Sequence, residues 1–300
     1  MKKVLVYGSL NIDITYFVDH IVQPGETLSS KSRTIRAGGK GANQATALAL
    51  AGAPCYLAGK IASKDNWILE LLKGYGVNTD FVLQTGSSTG EAFIQIDEQG
   101  QNSIILSPGS NYELHRNEIE QVLSFFSEGD ILVLQNETNH INSLIIAAKH
   151  KGMKIALNPS PMNEKIFSLP LSMVDILFVN EIEAQALAKT EGDFKTLIST
   201  LSTLYPNAEI IMTAGAQGAY YKYRETEEFS DIYPVKVVDT TSAGDTFTGY
   251  FLSSRYILDL SIKDALSLAS KASSLTVSRQ GSMESIPKGC EVYGQPESEH

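Results

Sequence analysis

Cysteine is nearly absent. The 300 residues hold two, Cys55 and Cys290, in unrelated contexts, which excludes a disulfide framework, a CxxC pair and a thiolate zinc site. Two isolated thiols suit a reducing cytoplasm. Positive charge is in deficit: 24 Lys and Arg stand against 34 Asp and Glu, a net charge of −10 with a pI near 5.0. That balance argues against nucleic acid or an anionic membrane as the main partner. No apolar run approaches the roughly 20 residues of a membrane span, and residues 1–10 do not read as a secretory signal. No Walker A, HExxH, GxSxG or protein-kinase pattern occurs, and the five histidines form no recognisable set.

What is present is an alternating α/β pattern. Hydrophobic residues make up 43% of the chain, enough for a substantial core. Short, continuous apolar runs at 3–7, 131–134, 154–157 and 176–179 alternate with helical periodicity. This predicts a doubly wound, mostly parallel sheet covered by helices on both faces. Residues 14–36 and 90–106 alternate apolar and polar around turns and predict a small separate β-sheet. Residues 38–52, with clustered glycines and then alanines, predict a tight backbone followed by a closely packed helix. One domain over 1–287 and a loose tail over 288–300 are expected. In such sheets ligands bind beyond the carboxyl ends of the strands. Polar residues recur there: Asn11 and Asp13, Asn136 and Glu137, Asn158, Asn180 and Glu183, Thr213 and Gly215, Asp239 and Asp245.

The densest of these segments is Asp239-Thr-Thr-Ser-Ala-Gly-Asp-Thr-Phe247. A β-rich run over 232–238 is expected to feed a turn at Ser242, Ala243 and Gly244, from which a helix leaves. The free N–H groups of a helix start favour an anion, most of all the charge on a moving phosphoryl group. Asp245 in the first turn can take a proton from a hydroxyl. Read alone, the segment is equally an acidic helix start without function.

Six motifs together resemble the ribokinase-like, or PfkB, family of carbohydrate kinases: Asn11-Ile-Asp13, Pro24-Gly-Glu-Thr27, Gly38-Gly-Lys-Gly-Ala-Asn-Gln44, Asn180-Glu-Ile-Glu183, Thr213-Ala-Gly215 with Gly218, and 239–247. They stand in the family's order over about residues 3–287. The resemblance implies a ribokinase-like α/β fold with a small β-sheet lid, ATP and Mg²⁺ as cofactors together with K⁺, and a homodimer formed through the lid. The lysine in the glycine-rich motif is most similar to the ribokinase branch. That branch implies transfer of the γ-phosphoryl group to the primary hydroxyl of a pentose, ribose foremost. Another sugar, a nucleoside, or a non-catalytic sensor on the same scaffold are the alternatives.

Carried over residue by residue, the resemblance implies a sugar held by Asn11, Asp13, Gly39, Lys40, Asn43 and Glu137. Asp245 would be the base, and the amides of Ser242, Ala243, Gly244 and Asp245 the anion hole. The nucleotide would meet Asn180, Thr213, Gly215, Gly218 and Gly244. Glu183 would orient Mg²⁺ through water. Asp239 and the Thr241 carbonyl match one half of a monovalent cation site, and Gly281 and Ser285 the other, with one extra residue in the intervening spacing. Where Ser242 stands, the family usually has glycine or alanine. On local sequence alone, Asn180 and Glu183 read equally well as a helix capping pair, Thr213 to Gly218 as a hairpin turn, Asp13 as a turn acid, and Lys40 as a surface lysine.

Overall fold

The computed structural model describes residues 2–294. In chain order the strands are β1 (Val4–Tyr7), β2 (Asn11–Phe17), β3 (Ser32–Gly38), β4 (Cys55–Lys60), β5 (Asn78–Leu83), β6 (Gly90–Ile96), β7 (Asn102–Ser107), β8 (Ile131–Gln135), β9 (Lys154–Asn158), β10 (Ile176–Asn180), β11 (Glu209–Thr213), β12 (Ala219–Tyr223) and β13 (Thr226–Ser230). The helices are α1 (Lys40–Leu50), α2 (Trp67–Gly74), α3 (Arg116–Leu123), α4 (Ile141–His150), α5 (Glu181–Ala188), α6 (Phe194–Leu204), α7 (Ala243–Leu252), α8 (Ile262–Val277) and α9 (Gly289–Tyr293).

Nine strands form the main sheet, in the order β13-β12-β11-β10-β9-β8-β1-β4-β5. It is parallel from β11 to β5, and β12 and β13 close one edge antiparallel. Every residue of β1 and β8 is buried, as a strand covered on both faces requires. Val4 and Val6 enter a core shared with α1, α2, α7 and α8, while Leu5 and Tyr7 enter a second core with α3 to α6. The alanines of α1 seat it against α7, with Ala42, Ala45 and Ala47 fully buried. From β1 the chain proceeds to β4 and β5 on one side and returns to β8 on the other. The order therefore reverses between β1 and β8, which opens a crevice at their carboxyl ends.

A four-stranded sheet in the order β3-β2-β6-β7 stands apart as the lid, in the two regions the alternation indicated. Two expectations are corrected. Residues 231–237 form no strand: no neighbouring strand pairs with them, Val237 is 60% exposed, and the amides of Val238 and Asp239 bond to the Val277 carbonyl at the end of α8. The segment from 288 is not loose throughout, because α9 buries Val292 and its carbonyl accepts from Lys271 Nζ at 2.7 Å. The remainder of that expected tail, 295–300, lies outside the described residues. Among the described residues no helix is long and apolar enough to cross a membrane.

Candidate active site

A cavity of 1090 Å³ lies where the crevice, the lid and the start of α7 meet. It stands at the upper end of the roughly 300–1,000 Å³ typical of small-molecule sites. Asn11, Asp13, Gly39, Lys40, Asn43, Glu137, Asn180, Glu183, Thr213, Asp239 and residues 241–245 with Gly281 all line it. Of the residues expected at the site, Gly215, Gly218 and Ser285 are outside this lining. Gly215 and Gly218 make the tight turn between antiparallel β11 and β12, and buried Ser285 donates to the Ser282 carbonyl at 2.7 Å.

Asn11 and Asp13 sit on β2, two residues apart and so on one face, which places them on the lid. Asn11 Oδ1 accepts from Asn111 Nδ2 at 2.8 Å. Arg36 is directly opposite Asp13 in the β2–β3 ladder and lines the same cavity. Burial, reinforced by Glu137, Glu284 and Asp245 and opposed by Arg36, pushes the Asp13 carboxyl up to about 7. Gly39, with φ of 94°, caps α1; a side chain there would stand 2.8 Å from the Ser9 carbonyl. That turn lets Lys40 N–H donate to Glu137 Oε2 at 3.1 Å, and Ser9 Oγ donates to the same oxygen. This joins β1 and β8 at the switch point. Burial raises the Glu137 carboxyl against the pull of Lys40 and of these hydrogen bonds. Asp245, then Glu137 and Glu183, hold the Lys40 ammonium above its ordinary range despite its burial.

At α7, Ser242 occupies the left-handed cap position with φ of 60°, and Asp245 in the first turn is 6% exposed. Within the helix, Gly244 and Asp245 have no carbonyl four residues behind to bond their N–H groups. Both carboxylate oxygens of Asp245 accept amide donors from α1: Oδ2 from Asn43 Nδ2 at 3.1 Å and Oδ1 from Gln44 Nε2 at 2.9 Å. Gln44 in turn accepts from Gln135 Nε2 at 2.7 Å. Asn43 Oδ1 accepts from Ser282 Oγ at 2.9 Å.

Asn180 and Glu183 form the capping box of α5: Asn180 Oδ1 accepts from Glu183 N at 2.9 Å, and Glu183 Oε2 from Asn180 N at 3.0 Å. Capping and facing the cavity coexist. Asp239 takes the amide of Thr241 at 2.9 Å and that of Gly281 at 3.2 Å, whereas Ser285 of the expected cation site bonds the Ser282 carbonyl instead. Among the described residues no cluster of three or more His, Cys, Asp or Glu is set for a metal ion. Mg²⁺, which keeps much of its water and leans on substrate phosphates, needs none, and a lone Glu183 carboxylate fits that role.

Sequence reasoning gave no role to Ser9, Arg36, Gln44, Asn111, Gln135 or Ser282. Gln44 stood inside a quoted motif; for the others only spatial proximity assigns a part.

A doubly wound scaffold, a large cavity at its switch point, a carboxylate in the first turn of a helix and unbonded amides beside it suit phosphoryl transfer to a small molecule. The profile of the pfkB family of carbohydrate kinases matches residues 1–289, and the chain belongs to that family. It is 36% identical over 299 residues to a bifunctional ribokinase/ribose-5-phosphate isomerase A of Fructilactobacillus sanfranciscensis, with 96% of the chain covering 55% of that protein. The chain thus spans about half the length of this relative. It is 33% identical over 296 residues to the ribokinase of Staphylococcus aureus, covering 95% of the chain and 97% of the relative. The structure of Arabidopsis thaliana ribokinase complexed with ribose and ATP superimposes with a TM-score of 0.85 at 30% identity, covering 98% of the chain and 99% of that chain.

Proposed function

We propose that this kinase transfers the γ-phosphoryl group of ATP to the primary hydroxyl of ribose, giving ribose 5-phosphate and ADP. The observation that carries the reading is that Asp13 on the lid and Asp245 at the start of α7 open into one cavity. A carboxylate can accept two neighbouring hydroxyls with its two oxygens, so Asp13, with Asn11, Lys40 and Glu137, holds the sugar. The hydroxyl at the far end gives its proton to Asp245 as its oxygen bonds to the γ-phosphorus, and the bond to the β,γ-bridging oxygen breaks. The amides of Gly244 and Asp245 stabilise the charge on the moving group, whereas that of Ala243, also expected in the anion hole, donates to the Thr240 carbonyl at 3.4 Å. Asn180 and Thr213 line the part of the cavity left for the nucleotide. Glu183 would orient Mg²⁺ through water, and the ion would supply neutralisation of phosphate charge. Asp239 and the Thr241 carbonyl, with Gly281, would hold K⁺ beside the anion hole, where it would supply positive charge.

The protein acts in the cytoplasm as a homodimer joined through the lid. On the edge strand β7, Ile104 and Leu106 line the cavity, whereas Ile105 points to the opposite face and is 64% exposed, an apolar edge position that natural proteins rarely leave uncovered. The similarity to ribokinases over nearly the whole chain supports ribose as acceptor. The test is ADP release over a panel of pentoses, hexoses and nucleosides with Mg²⁺ and K⁺ present. Ribose giving the highest kcat/KM is expected. A different preferred acceptor overturns the ribose assignment, and no stimulation by any acceptor overturns the kinase reading.

A further inference from the structure

Ser242, Ser282 and Asn43 are each 7% exposed or less, and they connect. Ser242 Oγ lies 3.2 Å from Ser282 Oγ, Ser282 Oγ lies 2.9 Å from Asn43 Oδ1, and Asn43 Nδ2 lies 3.1 Å from Asp245 Oδ2. The directions follow from counting protons. A hydroxyl has one to give and an amide oxygen has none. Asn43 Oδ1 is an acceptor, so Ser282 gives its proton there. Ser282 Oγ then accepts in its contact with Ser242, whose hydroxyl is the donor. The chain therefore points one way, from the residue that starts the anion hole to the carboxylate at its end.

We propose that Ser282 is a positioning residue for phosphoryl transfer: its hydroxyl fixes the Asn43 amide so that the NH₂ group faces Asp245, and this holds the base at one angle beside the anion hole. The proposal rests on the kinase reading above. An asparagine amide can turn over, exchanging its donor and acceptor ends; the Asp245 carboxylate, which only accepts, selects the NH₂ end, and a donor on the oxygen side then fixes the plane of the amide. Ser282 is that donor. The second amide on Asp245 is secured in the same way, because Gln135 donates to the oxygen of Gln44. Each carboxylate oxygen thus meets an amide whose far end is already occupied. Ser242 and Ser282 act as a pair, and this gives the unusual serine of the anion-hole turn a place: it supplies the first donor of the relay.

The experiment is a double-mutant cycle in the ADP-release assay. Ser282→Ala lowers kcat about 5- to 10-fold, the worth of one ordinary hydrogen bond expressed as rate, with KM for sugar and ATP within about 2-fold. In an Asn43→Ala background the same change costs less than about 2-fold, because the relay is already cut. The K⁺ requirement stays as in the parent, since Ser285 uses only the backbone carbonyl of Ser282. An equal loss in both backgrounds, no loss of kcat, or a loss expressed in the K⁺ requirement overturns the proposal. Parent protein that turns over no acceptor defeats the kinase reading separately. The relay is then judged by the Asn43 side-chain amide NMR signals: Ser282→Ala moves them if the hydroxyl holds the amide, and unchanged signals overturn it.

Discussion

Asp13 rests its carboxylate against the bare α-carbon of Gly38: a side-chain carbon built on Gly38 would fall 2.0 Å from Asp13 Oδ2. The proposed sugar ligand is therefore aimed by a residue that contributes no atom to the sugar. Gly38→Ala is expected to push the carboxylate aside and raise the sugar KM about 10- to 100-fold, the range for a lost hydrogen bond to a charged group. KM for ATP should stay unchanged. Steady-state kinetics in both substrates decides it, and an unaltered sugar KM would show that Asp13 does not hold the acceptor.

Asp245 accepts from two amides and has the position of the base. Asp245→Ala is expected to lower kcat by about two to four orders of magnitude. Asp245→Asn should do the same and also melt lower, because its NH₂ group would oppose the donors of Asn43 or Gln44. Turnover within tenfold of the parent would remove Asp245 from the base role.

Asp13 keeps its proton in the folded protein up to about pH 7, whereas its ordinary value is 3.8. Below about 4 both states are protonated and nothing is lost. As pH rises from about 4 to about 7, the unfolded chain releases this proton and the folded chain does not. The contribution of Asp13 to stability therefore falls across that window and levels off above it. Asp13→Asn, which cannot ionise, should gain melting temperature relative to the parent as pH climbs from 4 to 8. A difference that does not vary with pH would contradict the assignment.

The exposed Ile105 face of β7 is the proposed dimer contact. Ile105→Lys places a charge on that edge strand, a device by which natural sheets avoid pairing. Sedimentation velocity should find the parent at twice the chain mass and the variant at one. Parent protein that sediments as a monomer refutes the lid dimer.

Much of the fold shows in the sequence because burial on two faces leaves a plain mark: residues 131–134 and 176–179 are apolar without interruption, and the parallel strands are there. The lid shows through its alternation. The 232–238 run misleads, since its valines favour a strand only where a partner offers a pleated surface to pack on, and here none does. The site divides along the same line. Asp13, Lys40 and Asp245 lie in compact motifs and could be named. Ser282 lies 239 residues from Asn43, and Arg36 meets Asp13 only through strand register, so no local pattern announces either. Gly215 and Gly218 had the right composition but sit in a hairpin turn outside the cavity.

The strand β2 belongs to the lid, whereas Asp245 is anchored in the main body. In the proposed reaction one grip on the sugar, Asp13, and the group that takes its proton, Asp245, thus stand on two separate pieces of the molecule. A sugar bound as proposed would therefore bridge the cover and the body and be gripped from both sides.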